Sequence, residues 1–332
     1  MNPQHTCGVY GTWWWGLLEV LPMAGLVSIW FFLPLAVLVL LLLPILALRV
    51  DTAWLPLLLC CWAYYDRHTS STGGRRWYQY GGSVVGRCVT NYFPLKVVKA
   101  DGASLDPRRN YIADTHPHGP FQTATMAATL FGDALGEAFP GISFKTAAVR
   151  AYFVIPVVRE LALAWGLISV SERSIRHVLC REQGTAVLLF SGSADETLRM
   201  RPDVFHVYLK RRGFCRLALQ EGASLLPILI LGKNRAYSQP LSWLQDWVHR
   251  VTGRWVMFPV GRGLFETIIG YLPHRVPHTF VVGAPLHVEK VRSPTKAQIE
   301  DLHAKHAAAI ERLYKEYSPK FFPGSQPLII ER

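Results

Sequence analysis

Between Val20 and Leu48 the chain carries no charged side chain, and no other stretch limits its fold as strongly. As a helix these 29 residues would reach about 44 Å, more than the roughly 30 Å of bilayer hydrocarbon. A second uncharged run, Thr52 to Tyr65, follows after only Arg49-Val50-Asp51. At about 21 Å as a helix it is too short to cross alone. Pro34, Pro44 and Pro56 would each kink or interrupt a helix. The expectation is a membrane-embedded helical hairpin over 20–65, or one span with a re-entrant partner. A buried helical hairpin in a soluble core is the plainer alternative, but uncharged runs of this length are rare outside bilayers. A signal peptide fits poorly: there is no basic n-region, the apolar core is too long, and no small-residue cleavage site closes it.

Charge adds an orientation. Residues 1–65 hold Glu19, Arg49 and Asp51, a net of −1, so the remainder carries +13 of the total of +12. Arg67, Arg75 and Arg76 follow the second run, whereas Met1 to Leu18 has no Lys or Arg. The positive-inside rule then puts the large C-terminal part in the cytosol. A basic domain beside a hydrophobic anchor suits anionic headgroups or a polyanionic co-substrate. Nucleic acid is not expected as a partner, because the basic residues are scattered and no nucleic-acid module is present. The cysteines (Cys7, Cys60, Cys61, Cys88, Cys180, Cys215) show no paired metal spacing and fit reduced thiols.

The organisation expected is a short N-terminal segment (1–19), the hairpin (20–65), a juxtamembrane linker and entry to the core (66–110), and a cytosol-facing domain (111–332). Short apolar runs at Tyr111–Ala113, Leu167–Val170, Thr185–Phe190 and Leu225–Leu231 predict strands. Helices are expected over Pro120–Phe131, over Glu172–Arg181 with Ser171 as N-cap, over Phe214–Glu221 closed by Gly222, and over Thr295–Tyr317. The last carries Ile299, Leu302, Ile310, Leu313 and Tyr317 as a stripe that reads as core. Leu241–Val251 is amphipathic and fits either the core or a membrane interface. Continuous apolar strands separated by helices give an α/β fold with a central mixed or largely parallel sheet flanked by helices.

His116-Pro117-His118-Gly119 falls between an expected strand and a helix. An imidazole is the natural base for removing an alcohol proton near neutral pH. Either histidine could serve, with the other binding or orienting; a plain turn whose histidines bond the backbone is equally compatible. A metal site is not expected, because the Asp and further His it would need are not found nearby. Ser191-Gly192-Ser193-Ala194-Asp195-Glu196 follows another buried strand. Its Glu196 or Asp195 could orient a histidine or stabilise its imidazolium, or Glu196 could merely cap the next element. The loop does not spell Gly-x-Ser-x-Gly, so a hydrolase nucleophile elbow is poorly supported.

These segments carry a resemblance. From about Phe32 to the C-terminus the chain is similar to the diacylglycerol acyltransferase type 2 family, which includes monoacylglycerol and wax alcohol acyltransferases. The ordered series runs through Phe32-Leu33-Pro34-Leu35, Gly73-Gly74-Arg75-Arg76, Tyr92-Phe93-Pro94, His116-Pro117-His118-Gly119 and Phe139-Pro140-Gly141. It continues through Pro156-Val157-Val158-Arg159-Glu160, the loop ending in Glu196, Arg212-Gly213-Phe214 and Gly261-Arg262-Gly263. Two places depart from the family pattern. The loop reads Gly192-Ser193-Ala194-Asp195-Glu196 where Gly-Gly-Ala-Ala-Glu is usual. Leu231-Gly232-Lys233-Asn234 stands where many members have Phe-Gly-Glu-Asn.

The resemblance implies a glycerolipid acyltransferase-like fold and acyl transfer from acyl-CoA, a co-substrate, with no permanently bound cofactor. It implies diacylglycerol as acceptor, with monoacylglycerol or a long-chain alcohol as the alternative, and a non-catalytic lipid-droplet or membrane scaffold as the reading from another class. His118, with His116 and Glu196, is implied at the reaction centre, and Phe32, Leu33 and Leu35 in neutral-lipid binding. Arg150, Arg159 and Arg212 are candidates for the CoA phosphates, against the plainer reading of solvated charges or structural ion pairs. The setting implied is the endoplasmic reticulum membrane, with a cytosol-facing catalytic domain, or a lipid droplet surface; a homo-oligomer is left open.

Overall fold

The computed structural model describes residues 54–75, 88, 90–131, 133–202, 204–254, 256–263, 270–324 and 327–332, with Val20, Leu21, Met23 and Ala24 from the N-terminal stretch. Most of the expected hairpin, including Phe32, Leu33 and Leu35, lies outside the described residues. Among those described, no helix is long and apolar enough to cross a membrane. The second uncharged run supplies α1, Trp54–Tyr65, about 18 Å long, with Trp54, Leu57, Leu58, Trp62 and Tyr65 exposed.

The core is a seven-stranded sheet in the order β1-β8-β7-β2-β5-β3-β4. Its strands are β1 (Leu95–Lys99), β2 (Tyr111–His116), β3 (Ser143–Ala148), β4 (Ile168–Ser169), β5 (Thr185–Leu189), β7 (Ser224–Leu231) and β8 (His278–Val282). All neighbours are parallel except β7 and β8. A parallel pair β6 (Phe205–Tyr208) and β9 (Leu328–Glu331) forms a second sheet. The expected mixed, mostly parallel sheet is therefore present. Strands β2, β5 and β7 are buried along their whole length, as central strands covered on both faces must be.

Alternation sorts their side chains. Ile112, Val187 and Leu225 pack on one face against Ile175 and Val178 of α5 (Glu172–Arg181) and Phe214 and Leu217 of α7 (Gly213–Glu221). Tyr111, Ala113, Leu188 and Leu226 pack on the other against Ala124, Leu135 and Phe139. Ala124 belongs to α2 (Thr123–Met126) and Leu135 to α3 (Ala134–Ala138). The helix expected over Pro120–Phe131 thus begins at Thr123 and passes into a π turn at Ala127–Phe131. Ser171 caps α5 as its sequence position predicts, accepting from the Ser174 N–H.

The long C-terminal helix α9, Lys296–Phe321, starts with a capping box between Thr295 and Gln298, which satisfies two of the otherwise unpaired amide donors of its first turn. Leu302, Ile310, Leu313 and Tyr317 are buried as the stripe predicts. Strands β1, β3, β6, β8 and β9 have no counterpart among the expected elements. In β3 the reason is visible: Lys145 interrupts the apolar run, and its Nζ lies 2.6 Å from Glu182. Between β3 and β4, α4 (Pro156–Ala164) carries Arg159 and Glu160. Two further helices, α6 (Ser193–Leu198) and α8 (Ser242–Thr252), follow β5 and β7.

Candidate active site

Because β5, β2 and β7 are parallel neighbours, their carboxyl ends open on one edge of the sheet, where loops can bring side chains together. The first residues beyond those ends are the chemically rich ones. Strand β5 leads into Ser191 and α6, β2 ends in His116 and leads to His118, and β7 leads through Gly232 to Lys233. Segments far apart in the chain therefore meet for a topological reason.

Period-two alternation carries Asp114 and His116 to the same face as Ile112. His116 is fully buried between two carboxylates, with Nδ1 2.8 Å from Glu196 Oε1 and Nε2 3.1 Å from Asp114 Oδ2. Burial pushes an imidazole toward neutrality, but Asp114 and Glu196 override it and raise His116 to about 10. Asp114 is held ionised, well below the usual carboxylate range, by His116 and His306 against its own burial. It also accepts from the Ser191 amide at 3.0 Å and the Ser191 hydroxyl at 2.8 Å, while His306 Nε2 approaches it to 3.0 Å. Glu196 completes the arrangement: its Oε2 accepts the His118 amide at 2.6 Å and its Oε1 the Tyr208 amide at 3.2 Å. The result is a buried imidazolium clamped between two anchored carboxylates.

His118 is in the opposite state. Its Nδ1 lies 2.8 Å from the Gly119 carbonyl and 2.7 Å from the Thr197 hydroxyl. A carbonyl only accepts, so Nδ1 carries the proton and Nε2 keeps its lone pair. Burial lowers the His118 pKa to about 4, the Gly119 carbonyl opposing and Lys233 assisting. His118 lines a cavity of about 600 Å³, walled by Leu189, Ile175, Phe214 and Leu217 among other apolar side chains. A neutral imidazole on a largely apolar cavity can take a proton from a hydroxyl brought there.

Two glycines are required by this packing. A Cβ on Gly119, which has φ +68°, would sit 2.8 Å from Lys233 Cε; one on Gly192 would sit 2.6 Å from Glu196 Cδ. Ser193, where the family usually has glycine, adopts φ +49°, a left-handed conformation that favours glycine.

Lys233 was marked in the sequence only by its departure from the family pattern. It is 2% exposed. Its Nζ bonds Gln122 Oε1 at 2.9 Å and lies 5.1 Å from the Phe190 ring centre, and Gln122 in turn donates to the His118 carbonyl at 2.8 Å. Burial drives this ammonium down to about 7, with Glu196 opposing. Asp114 and His306 are further site residues that the sequence does not single out, and Ser191, the first residue of the loop ending in Glu196, is the partner of Asp114. Asp114 was within reach, two residues before His116 on one strand.

Asp114, His116 and His306 also stand within 4.8 Å of one another, a spacing open to a metal ion. The Asp and further His that the sequence does not place beside His116 are both present, Asp114 on the same strand and His306 arriving from α9. Their separations of 3.0–3.1 Å are ordinary N–H···O hydrogen-bond lengths. With a carboxylate on each ring nitrogen, His116 is bonded as an imidazolium, not as a ligand needing a lone pair.

The three arginines assigned to CoA phosphates are not brought together at the cavity. Arg159 is 1% exposed and pairs with Asp66 and Glu160, so its guanidinium is committed to holding α4 against the segment after α1. Arg212 is exposed and pairs with Glu300 at 3.2 Å, and Arg150 is exposed just after β3. Arg211 and Arg216 line the cavity instead.

The model of the family described as diacylglycerol acyltransferase matches residues 46–331. The chain is 34% identical to 2-acylglycerol O-acyltransferase 1 of Mus musculus over 282 residues, covering 81% of this chain and 83% of that protein. It is 31% identical to diacylglycerol O-acyltransferase 2 of Dictyostelium discoideum over 265 residues, covering 77% and 80%. Among solved structures, the 1-acyl-sn-glycerophosphate acyltransferase PlsC from Thermotoga maritima aligns at a TM-score of 0.42 and 12% identity, covering 91% of this chain and 96% of that one. A family match over most of the length, together with relatives above 30% identity, establishes that the chain belongs to the diacylglycerol acyltransferase family and is an acyltransferase.

Proposed function

We propose that this protein esterifies the free hydroxyl of diacylglycerol with the acyl group of acyl-CoA, forming triacylglycerol by direct transfer. The observation that carries the reading is the placement of His118: its Nδ1 lies 2.8 Å from the Gly119 carbonyl, an arrangement that leaves the lone pair on Nε2, and the residue lines a largely apolar cavity. Nε2 takes the acceptor's hydroxyl proton as its oxygen bonds to the thioester carbon. The carbon–sulfur bond then breaks, and the CoA thiolate recovers the proton from His118. His116 does not share the base role. Its two carboxylates keep it protonated, so its positive charge and the Glu196 bond to the His118 amide position the loop. Arg211 and Arg216 are paired on the surface as Arg212 is, with Asp195 and Glu172, but they line the cavity and so are the better candidates for the CoA phosphates.

Monoacylglycerol is the second acceptor to consider, because a 2-acylglycerol O-acyltransferase is among the relatives at 34% identity. The basic bias after the uncharged runs supports a cytosol-facing domain on the endoplasmic reticulum membrane or a lipid droplet.

The test uses membranes from a host stripped of its own neutral-lipid acyltransferases. Labelled acyl-CoA is offered with diacylglycerol, monoacylglycerol and a long-chain alcohol in parallel. Triacylglycerol should be the main product, and His118→Ala should lower kcat by about 10²–10⁴-fold. Esterification of none of the three by well-expressed protein would sink the reaction. Near-normal turnover by His118→Ala would sink the base.

A further inference from the structure

Helix α8 reverses the usual partition of side chains. Gln245 is fully buried and donates to the Leu198 carbonyl, while Trp243 and Trp247 are 65% and 53% exposed and Val251 is 65% exposed. Residues 243, 247 and 251 recur every fourth position and so share one face of the helix. Arg250 is exposed beside that face, and Arg254 is exposed just past the helix C-terminus. The one acidic residue of the helix, Asp246, is paired with Arg201 at 2.5 Å. A row of apolar side chains with no cover among the described residues, flanked by cations, has the make-up of a helix lying in a membrane interface, where tryptophan is at home and arginine meets lipid phosphate.

We propose that α8 lies on an anionic phospholipid surface, with Trp243, Trp247 and Val251 inserted among the acyl chains and Arg250 and Arg254 on the headgroups. A second copy of the chain is the poorer occupant. The face spans about 16 Å by roughly 10 Å, far below the ~800 Å² per partner of a stable interface. The contact has a consequence for the site, because α8 is strapped to the segment carrying Glu196 and Thr197. Gln245 holds the end of α6, Asp246 holds Arg201, and Gln239 just before α8 donates to the Met200 carbonyl at 2.7 Å. Docking α8 therefore seats α6, and with it the reaction centre, at a fixed height above the lipid.

The full chain in phosphatidylserine/phosphatidylcholine nanodiscs carrying a photoactivatable phospholipid tests this without any turnover, so an inactive protein still gives a result. After irradiation and trypsin, lipid adducts should appear on the peptide spanning 236–250. Trp243→Ser/Trp247→Ser should reduce them at least about tenfold while adducts elsewhere in the chain persist. Both side chains are exposed, so the double variant leaves the core intact. Adducts elsewhere with none on 236–250 would overturn the proposal, as would chemical cross-links joining 236–250 of one chain to the same peptide of another.

Discussion

The candidate active site and helix α8 break the same rule in opposite directions. At the ends of β2, β5 and β7 the fold buries Asp114, His116, Glu196 and Lys233; at α8 it exposes two tryptophans and buries a glutamine. In the first region nearly every cost is met inside the chain: both nitrogens of His116, both oxygens of Asp114 and both oxygens of Glu196 have partners. In the second, the apolar face has no counterpart among the described residues. An inversion that the chain compensates itself marks a site built for chemistry. One that it leaves uncompensated marks a site built for a partner.

The largest effect that can break this contrast is on stability. Asp114→Ala strands a buried imidazolium and the Ser191 amide, and should cost about 3–5 kcal/mol. Trp243→Ser removes an exposed side chain and should stay within about 0.5 kcal/mol. Denaturant unfolding of the purified protein in detergent measures both. Equal losses would mean that the α8 face is packed within the protein after all.

Much of the first region was open to sequence reasoning. His116, His118 and Glu196 follow apolar runs that had to be central strands, and loops at the ends of neighbouring parallel strands converge whatever their separation in sequence. His306 was not open to it. It lies 192 positions from Asp114, on a helix whose apolar stripe accounts for its burial without any polar role. The commitment of Arg159 was not open to it either, for a related reason. Whether a guanidinium is spent depends on a carboxylate elsewhere, and Asp66 is 93 positions from Arg159. The direction of α8 was also undecidable, since an amphipathic helix has the same period whether its apolar face turns inward or outward.

A smaller, graded effect separates the two buried cations of the candidate site. His116 is raised from 6.5 to about 10, so its stabilisation is complete below about pH 6.5 and is lost as pH rises toward 10. Lys233 is lowered from 10.5 to about 7. Its cost is full below pH 7 and is relieved as pH rises toward 10.5. Between pH 7 and about 9, below the range where the Cys215 thiol ionises in the unfolded chain, the slopes are opposite, each about 1.4 kcal/mol per pH unit, and the wild type should be nearly flat. Lys233→Met removes one of them, so its unfolding free energy should fall across that window by about 1.4 kcal/mol per unit. A flat profile for Lys233→Met would mean that His116 is not the clamped imidazolium described.

The smallest effect sharpens the contrast through salt. Arg250 and Arg254 are exposed, and near an anionic bilayer each contributes about 1 kcal/mol. Arg250→Gln, whose tryptic peptide then runs 236–254, and Arg254→Gln should therefore each lower the lipid adducts on residues 236–250 by about fivefold at low ionic strength. At 1 M salt the screening length falls to about 3 Å, and both variants should converge on the wild type, whose remaining adducts come from the tryptophans. The His116–Glu196 pair is fully buried and little screened. With acyl-CoA saturating, so that screening of Arg211 and Arg216 does not limit its binding, turnover of a short-chain, water-soluble acceptor should thus be indifferent to the same salt series. Salt-insensitive losses in the arginine variants would remove the headgroup contacts and leave α8 held by apolar insertion alone.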